Sequence, residues 1–314
     1  MGITSKTFCP KLWTEIFINE LGDVYPCCRR KTPSIGNIYN DTLEEICNSK
    51  RALNLREKSF TGKLECFERC HLLKGNSNLP LVLDTKISYN RLTKLKVQFS
   101  YSCNIKCIMC FQNPENNHSL DYDTLIKNVD IKPFKEIDIQ GGEPLLINNA
   151  KKYYDYAVSF NIKPSFITNG LLIDNIWADK IAKNSKYIHI SINAATKKTH
   201  ELVNLGSNWK KVIENIKKLH NAKKTNNSKL KIIGHMTIIP ENLFEIPLFI
   251  NKGKKIGFEY IKFGYDKKIP KFLKSLPENK KIKLIKKIKK AYLNKKDKII
   301  INMLRLKLLY LYTE

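Results

Sequence analysis

Arginine is nearly missing from this chain: 56 residues are basic, yet only 7 of them are arginine and 49 are lysine. The planar guanidinium fork is what phosphate and base recognition favour, so a formal charge of +27 carried by lysine argues against a nucleic-acid partner and leaves an acidic partner open. In a chain also crowded with Asn and Ile, the skew reads first as AT-rich coding. Long apolar runs are lacking as well. The longest, between Ile299 and Tyr312, is broken by Asn302, Arg305 and Lys307 and falls short of the ~18 uncharged residues of a membrane span. The start, Met1 to Lys6, carries no apolar leader, so the expected compartment is the reducing cytoplasm. No low-complexity tract is present, which excludes disorder as the general description.

What is there is core-forming material. Of 314 residues 42% are hydrophobic and 10% aromatic, and the length lies just beyond the roughly 250–300 residues at which single cores stop growing. One small and one large domain are expected, divided at the turn-rich Gly75-Asn76-Ser77-Asn78-Leu79-Pro80: a cysteine-rich α+β hairpin domain over 1–80, a linker over 81–93, and an α/β domain over 94–314. Short apolar strands there alternate with helical stretches, the signature of βα units and a parallel sheet. The six strands are expected at Leu95–Tyr101, Glu136–Gln140, Pro164–Thr168, Tyr187–Asn193, Lys229–Ile239 and Glu259–Phe263. Helices are expected from Asp121, Asn148, Asp174, Ser207 and Glu241, and a last one from Glu278 to Leu293 with Ile282, Ile285, Ile288 and Tyr292 on one face. In the fourth strand Ile188, Ile190 and Ile192 alternate with His189, Ser191 and Asn193. In a barrel the isoleucines face the helices and the polar set faces the lumen; an open sheet with one wet face has the same alternation.

Nine cysteines in a reducing compartment read as metal ligands or catalytic thiols before disulfides. None follows Cys110. Directly after the first βα strand stand Cys103, Cys107 and Cys110, three thiols on one loop. Three thiolates hold a cubane cluster by three of its four irons and leave the fourth open. Zinc wants four ligands, and no further cysteine or well-placed histidine follows; His118 sits in a polar turn and reads as a surface residue.

This triplet resembles the signature of the radical SAM superfamily, whose fold is a partial (βα)6 barrel. The resemblance runs from about Lys94 to Tyr265. Gln140-Gly141-Gly142-Glu143-Pro144 follows the second strand and is similar to the stretch that holds the amino group of S-adenosylmethionine in that family: the glycines admit close backbone approach, and Glu143 offers a carboxylate to an ammonium. Asn169, Ser191 and Asn193 are similar to positions that contact the nucleoside or the methionine carboxylate, and Asn242 to one near the adenosine. Met109 stands where many members carry an aromatic, a soft apolar substitute able to pack on adenine. The resemblance implies a [4Fe–4S] cluster on Cys103, Cys107 and Cys110, reductive cleavage of S-adenosylmethionine to a 5′-deoxyadenosyl radical, and hydrogen abstraction from a peptide or a small sugar-like substrate. An electron donor such as a flavodoxin or ferredoxin follows from it.

Near the start, Cys9, Cys27, Cys28, Cys47, Cys66 and Cys70 form a second group. Glu15 to Tyr25 reads as a hairpin with Cys27 at its exit, and Asp41 to Ile46 as a capped helix. Four thiols from this region would close a site, which suits zinc as well as a second cluster. The run Cys-x12-Gly-x4-Cys, Cys28, Ile35 to Ile38, Leu43 to Ile46 and the final cysteine pair are similar to the SPASM domain in its shortened twitch form. That resemblance implies an auxiliary [4Fe–4S] cluster on Cys9, Cys27, Cys66 and Cys70, acting as an electron relay in an oxidation or as a structural clamp in a redox-neutral reaction such as epimerisation. Cys28 is a candidate substitute ligand and Cys47 a buried small hydrophobe.

Between Lys267 and Lys298 lie 14 lysines, read as a solvated face with docking of an acidic protein as the functional alternative. Lys262 is placed to enter the barrel and meet a substrate carboxylate or phosphate. The competing class for the whole chain is a non-enzymatic zinc protein that binds nucleic acid or an acidic partner through its lysines.

Overall fold

The computed structural model describes residues 8–28, 32–66, 70, 84–112 and 118–293, and the backbone of 300–301. The Gly75–Pro80 break lies outside these, as does most of the apolar run after Ile299. In chain order the strands are β1 (Glu15–Ile18), β2 (Asp23–Tyr25), β3 (Gly36–Asn37), β4 (Lys94–Gln98), β5 (Lys106–Cys107), β6 (Glu136–Gln140), β7 (Ser165–Thr168), β8 (Tyr187–Ser191), β9 (Asn204–Leu205), β10 (Lys231–Ile238), β11 (Tyr260–Tyr265) and β12 (Ile300–Ile301). The protein is α/β: β6, β7, β8 and β11 lead directly into a helix, β4 does so after the short strand β5, and β10 after a 3-10 turn. These are the six expected βα units, displaced by no more than two residues at most ends.

The chain divides into two compact units, Met1–Tyr101 with Glu115–Pro164, and Ser102–Pro114 with Ser165–Glu314. In the first, β1 pairs in parallel with β4 and β4 with β6, while β2 and β3 continue from β1 as an antiparallel meander. The expected hairpin is present, and its first strand also joins the parallel sheet. Its turn requires glycine: Gly22 has φ +78°, and a Cβ there would lie 2.5 Å from the Tyr39 ring. Thr42 caps helix Leu43–Cys47 with a reciprocal bond to Glu45. Buried Arg56 donates to the carbonyls of Leu12 (2.9 Å) and Thr85 (2.8 Å), tying the N-terminal segment to the chain before β4. Phe8, Trp13 and Phe60 stack beside it, with ring centroids 5.0 and 5.1 Å apart around Trp13.

In the second unit β7, β8, β10, β11 and β12 pair in parallel in that order. Ile188, Ile190 and Ile192 are fully buried and His189 and Ser191 half-buried, as the alternation requires. Two expectations are corrected. No α-helix starts at Glu241: Asn242 folds back, its Oδ1 accepting from the Ile239 amide (2.8 Å), so a 3-10 turn Leu243–Glu245 precedes helix Ile246–Ile256. The helix Glu278–Leu293 buries Leu284, Ile288 and Ala291, whereas Ile282 and Tyr292 are exposed, because the stripe that packs runs at i, i+4 and i+7 from Leu284. Among the described residues no helix is long and apolar enough to cross a membrane.

Candidate functional site

In the second unit the three-cysteine loop is held by backbone pairing. Lys106 and Cys107 of β5 lie opposite Leu205 and Asn204 of β9 in an antiparallel ribbon, and the Ile108 amide donates to the Val203 carbonyl (3.0 Å). The Cys107 thiol donates to Asn204 Oδ1 at 3.2 Å. Asn204 is wholly buried and joined on its other sides: its Oδ1 also accepts from Asn193 Nδ2 (2.9 Å), and its Nδ2 donates to the Ile192 carbonyl (3.0 Å) and contacts His200 Nδ1 (3.0 Å). His200 Nε2 meets Ser207 Oγ at 2.8 Å, and burial lowers the imidazole pKa. Asn193 is not a strand residue. Its φ of +56° turns the chain out of β8, its Oδ1 accepts from the Thr237 amide (2.9 Å), and its carbonyl accepts from Asn242 Nδ2 (2.8 Å). Glu245 then fastens the following loop, accepting from the Ala195 amide (2.6 Å) and the hydroxyls of Thr196 (2.6 Å) and Thr199 (2.7 Å).

Asn169, at the end of β7, donates to Asn104 Oδ1 (2.8 Å) and brings its Nδ2 to 3.9 Å from Cys103 Sγ. The structure therefore gathers Cys103, Cys107, Asn169 and Asn193 around one set of loops, with Cys110 exposed beside them. Burial, with Cys103 and Cys110 adding in the same sense, pushes the Cys107 thiol up to about 12. Three thiols that feel one another's charge are what a thiolate-bound cluster needs. Among the described residues no three of His, Cys, Asp and Glu converge as ligands of a single ion, and a cubane spreads its thiolates over separate irons. The donor set fits the cluster. Sequence reasoning missed Asn204, His200 and Glu245, which lie in no motif; the pairing of β5 with β9 brings Asn204, and through it His200, to the loop, while Glu245 holds the segment after β8.

Ser191 shares one sheet face with His235 and Lys262, its neighbours in register on β10 and β11. Lys262 Nζ lies 3.3 Å from His189 Nε2 and 5.8 Å from the Tyr187 ring centroid.

In the first unit, Gly141 and Gly142 have φ of +92° and +52°. A Cβ on Gly141 would sit 2.2 Å from Gln98 Cγ and 2.9 Å from the Ser100 carbonyl, so the turn after β6 is built on glycine against β4. Glu143 is fully buried, and its Oε1 accepts from the Leu145 amide at 3.1 Å. Bare backbone beside a carboxylate fits an amino-acid ammonium.

The N-terminal cysteines also lie in the first unit. The Cys9 amide donates to Ser59 Oγ (2.8 Å); burial raises the Cys9 thiol to about 11, with Cys66 and Cys70 adding to the rise. Burial and Cys70 raise Cys66. Cys27, hydrogen-bonded to Cys28, lowers the Cys28 thiol to about 5 against the cost of burial, helped by the Lys96 ammonium 3.7 Å away. Cys47 is fully buried, and burial drives its thiol up to about 12.

Two family profiles match this chain: the radical SAM superfamily over residues 97–252, and the SPASM iron–sulfur cluster-binding domain over residues 9–71. The chain belongs to the radical SAM superfamily and carries its SPASM-type domain at the N-terminal side. Its cofactors are accordingly a [4Fe–4S] cluster, S-adenosylmethionine and an auxiliary iron–sulfur cluster. Among similar proteins, an uncharacterised protein of Methanocaldococcus jannaschii is 36% identical over 100 residues, 29% of this chain and 35% of that one. Mycofactocin maturase of Mycolicibacterium smegmatis is 23% identical over 131 residues, 40% of this chain and 33% of the maturase. The matched segments thus span about a third of the length of these curated relatives. Crystal structures of Streptococcus suis SuiB, and of SuiB bound to S-adenosylmethionine, superpose with TM-scores of 0.52 and 0.51 at 13% and 14% identity. They cover 96% of this chain and 71% and 72% of SuiB, a likeness of fold. A further SuiB structure, with its precursor peptide SuiA, has a TM-score of 0.50 at 15% identity, covering 96% of this chain and 72% of that one.

Proposed function

We propose that this protein is a peptide-modifying radical SAM enzyme, in which Cys103, Cys107 and Cys110 hold the S-adenosylmethionine-binding cluster and Cys9, Cys27, Cys66 and Cys70 the auxiliary one. The observation that carries the reading is the three-cysteine loop, pinned through Cys107 to Asn204 and through Asn104 to Asn169. When bound, the cluster and S-adenosylmethionine supply a 5′-deoxyadenosyl radical able to take a hydrogen atom from a substrate. Everything else is the work of the chain. The thiols must lose their protons to act as ligands, so loading releases protons into solvent. By the family resemblance, the Gly141–Gly142 backbone and Glu143 in the first unit are the groups that would receive the ammonium of the cosubstrate. His189, His235 and Lys262 present a basic sheet face to the substrate, where Lys262 would meet a carboxylate. A peptide is favoured over a sugar because mycofactocin maturase and SuiB, the latter seen with a precursor peptide, are among the similar proteins. Oxidation with the auxiliary cluster as relay and epimerisation with it as clamp are both compatible with these groups.

The test is anaerobic reconstitution of the full chain. About eight irons per chain, a brown colour and formation of 5′-deoxyadenosine from S-adenosylmethionine under dithionite are expected. A colourless protein holding zinc would overturn the reading in favour of a binding protein.

A further inference from the structure

We infer that Glu20, on the turn between β1 and β2, is a specificity residue for a positively charged group of the substrate peptide, an ammonium or a guanidinium, a conclusion that rests on the function just proposed. All the residues concerned belong to the first unit. Side chains alternate along a strand, so the register places Glu15, Lys94 and Glu136 in one row across β1, β4 and β6, and Lys96 and Asp138 in the next row of the same sheet face. The three carboxylates of this face are matched by cations. Lys11 pairs with Glu15, Lys94 with Glu136 (2.8 Å) and Asp138 (3.4 Å), and Lys96 with Asp138 (3.6 Å). Glu20 is the exception. It is only 5% exposed, its Oε2 accepts from the Gln98 side-chain amide, and it meets no cation among the described residues. A buried carboxylate without a counter-charge is costly, and a neutral amide does not offset it. In a chain with 56 basic residues against 29 acidic ones, the missing cation is no matter of supply.

Place and chemistry say which cation fits. The turn is fastened: Asn19, 3% exposed, accepts through Oδ1 from the amides of Leu21 (3.1 Å) and Asp23 (2.8 Å), and its carbonyl accepts from the Gly22 amide (3.0 Å). Gln98, equally buried, is the residue whose Cγ fills the space beside Gly141. Glu20, Gln98 and Gly141 are therefore successive neighbours, and the Glu20 carboxylate stands one side chain away from the turn that the resemblance assigns to S-adenosylmethionine. By that resemblance the ammonium of the cosubstrate already has the Gly141–Gly142 backbone and Glu143, which leaves a second carboxylate for the other reactant. One carboxylate beside a neutral amide is too poor in oxygens for a metal ion, whereas an organic cation needs a single charge-assisted hydrogen bond. The peptide thus carries a lysine, an arginine or a free amino terminus close to the position that reacts.

The experiment measures binding to the reconstituted full chain by isothermal titration with S-adenosylmethionine present. The probes are a blocked pentapeptide with lysine between two pairs of alanines, its arginine counterpart, and its norleucine counterpart, which keeps an apolar stem without the charge. The lysine and arginine peptides should bind the parent about tenfold or more tightly than the norleucine peptide. Glu20→Gln should remove that preference while sparing the norleucine peptide and the affinity for S-adenosylmethionine, read by equilibrium dialysis. Because Glu20→Gln removes an unmatched charge and keeps an acceptor for Gln98, its denaturant midpoint without peptide should equal or exceed that of the parent, whereas a purely structural role predicts a fall. Glu20→Asp, which retains the charge, should retain part of the preference. A parent that binds all three peptides alike, or none, overturns the inference, and so does a Glu20→Gln variant that still prefers the lysine peptide. A tenfold loss of S-adenosylmethionine affinity in Glu20→Gln overturns it too, since the cation is then the cosubstrate's. A parent that holds no cluster refutes the proposed function itself, and the peptide preference is read apart from it because the titration needs no turnover.

Discussion

Asn204 receives the Cys107 thiol at 3.2 Å across 97 residues of sequence, and the same carboxamide oxygen accepts from Asn193. One buried amide thereby joins the cysteine loop, the turn after β8 and His200. Replacing it by alanine takes the acceptor from the Asn193 side-chain amide and from the Cys107 thiol in a dry interior, while His200 keeps the Ile192 carbonyl and Ser207. Asn204→Ala should cost about 2 kcal/mol of stability, read as a lower denaturant midpoint at unchanged slope. It should also speed the loss of iron from the reconstituted protein to a chelator.

The two cysteine groups should separate in function. Cys9→Ala with Cys70→Ala is expected to lower iron content by about half, from two four-iron clusters to one, with 5′-deoxyadenosine formation still measurable. Cys107→Ala should abolish that formation. The reverse pattern would exchange the two assignments.

Gly141 has φ +92° with Gln98 and the Ser100 carbonyl where a Cβ would go. Gly141→Ala has to shift backbone as well as a flexible side chain. It should destabilise the protein by about 1–3 kcal/mol and weaken S-adenosylmethionine binding measured by equilibrium dialysis. An unchanged dissociation constant would remove the turn after β6 from the binding site.

Burial lowers the His200 pKa below its ordinary 6.5, which fixes the sign of a pH effect. As pH falls past 6.5 the unfolded chain takes up a proton that the folded chain resists, so the His200 contribution is present above that pH and is lost progressively below it. Denaturation at pH 8 and pH 5.5 should show a larger loss in the parent than in His200→Gln. Equal losses would mean that the ring charges as readily folded as unfolded.

Much of this was legible in one dimension. The βα strands carry their own periodicity, Thr42 and Glu45 cap a helix by local spacing, and a cysteine triplet after a strand needs only counting. Ile282 and Tyr292 misled because periodicity says which residues align and not which of two stripes finds a neighbour; Leu284 and Ile288 are the ones that pack. Glu241 and Asn242 looked like a helix start, and Asn242 instead closes a turn, since its side chain reaches back to the Ile239 amide and the Thr237 carbonyl.

The residue string alone settled the α/β class and the superfamily signature, because these depend on neighbours within a few positions. Folding settled what supports the thiols. That Asn204 rather than another polar residue faces Cys107, that β1 extends the sheet beyond β4, and that Leu205 stands on the opposite face of the ribbon all depend on strand register between distant segments. Register is chosen by the burial of whole faces at once, and no local window of sequence contains that choice.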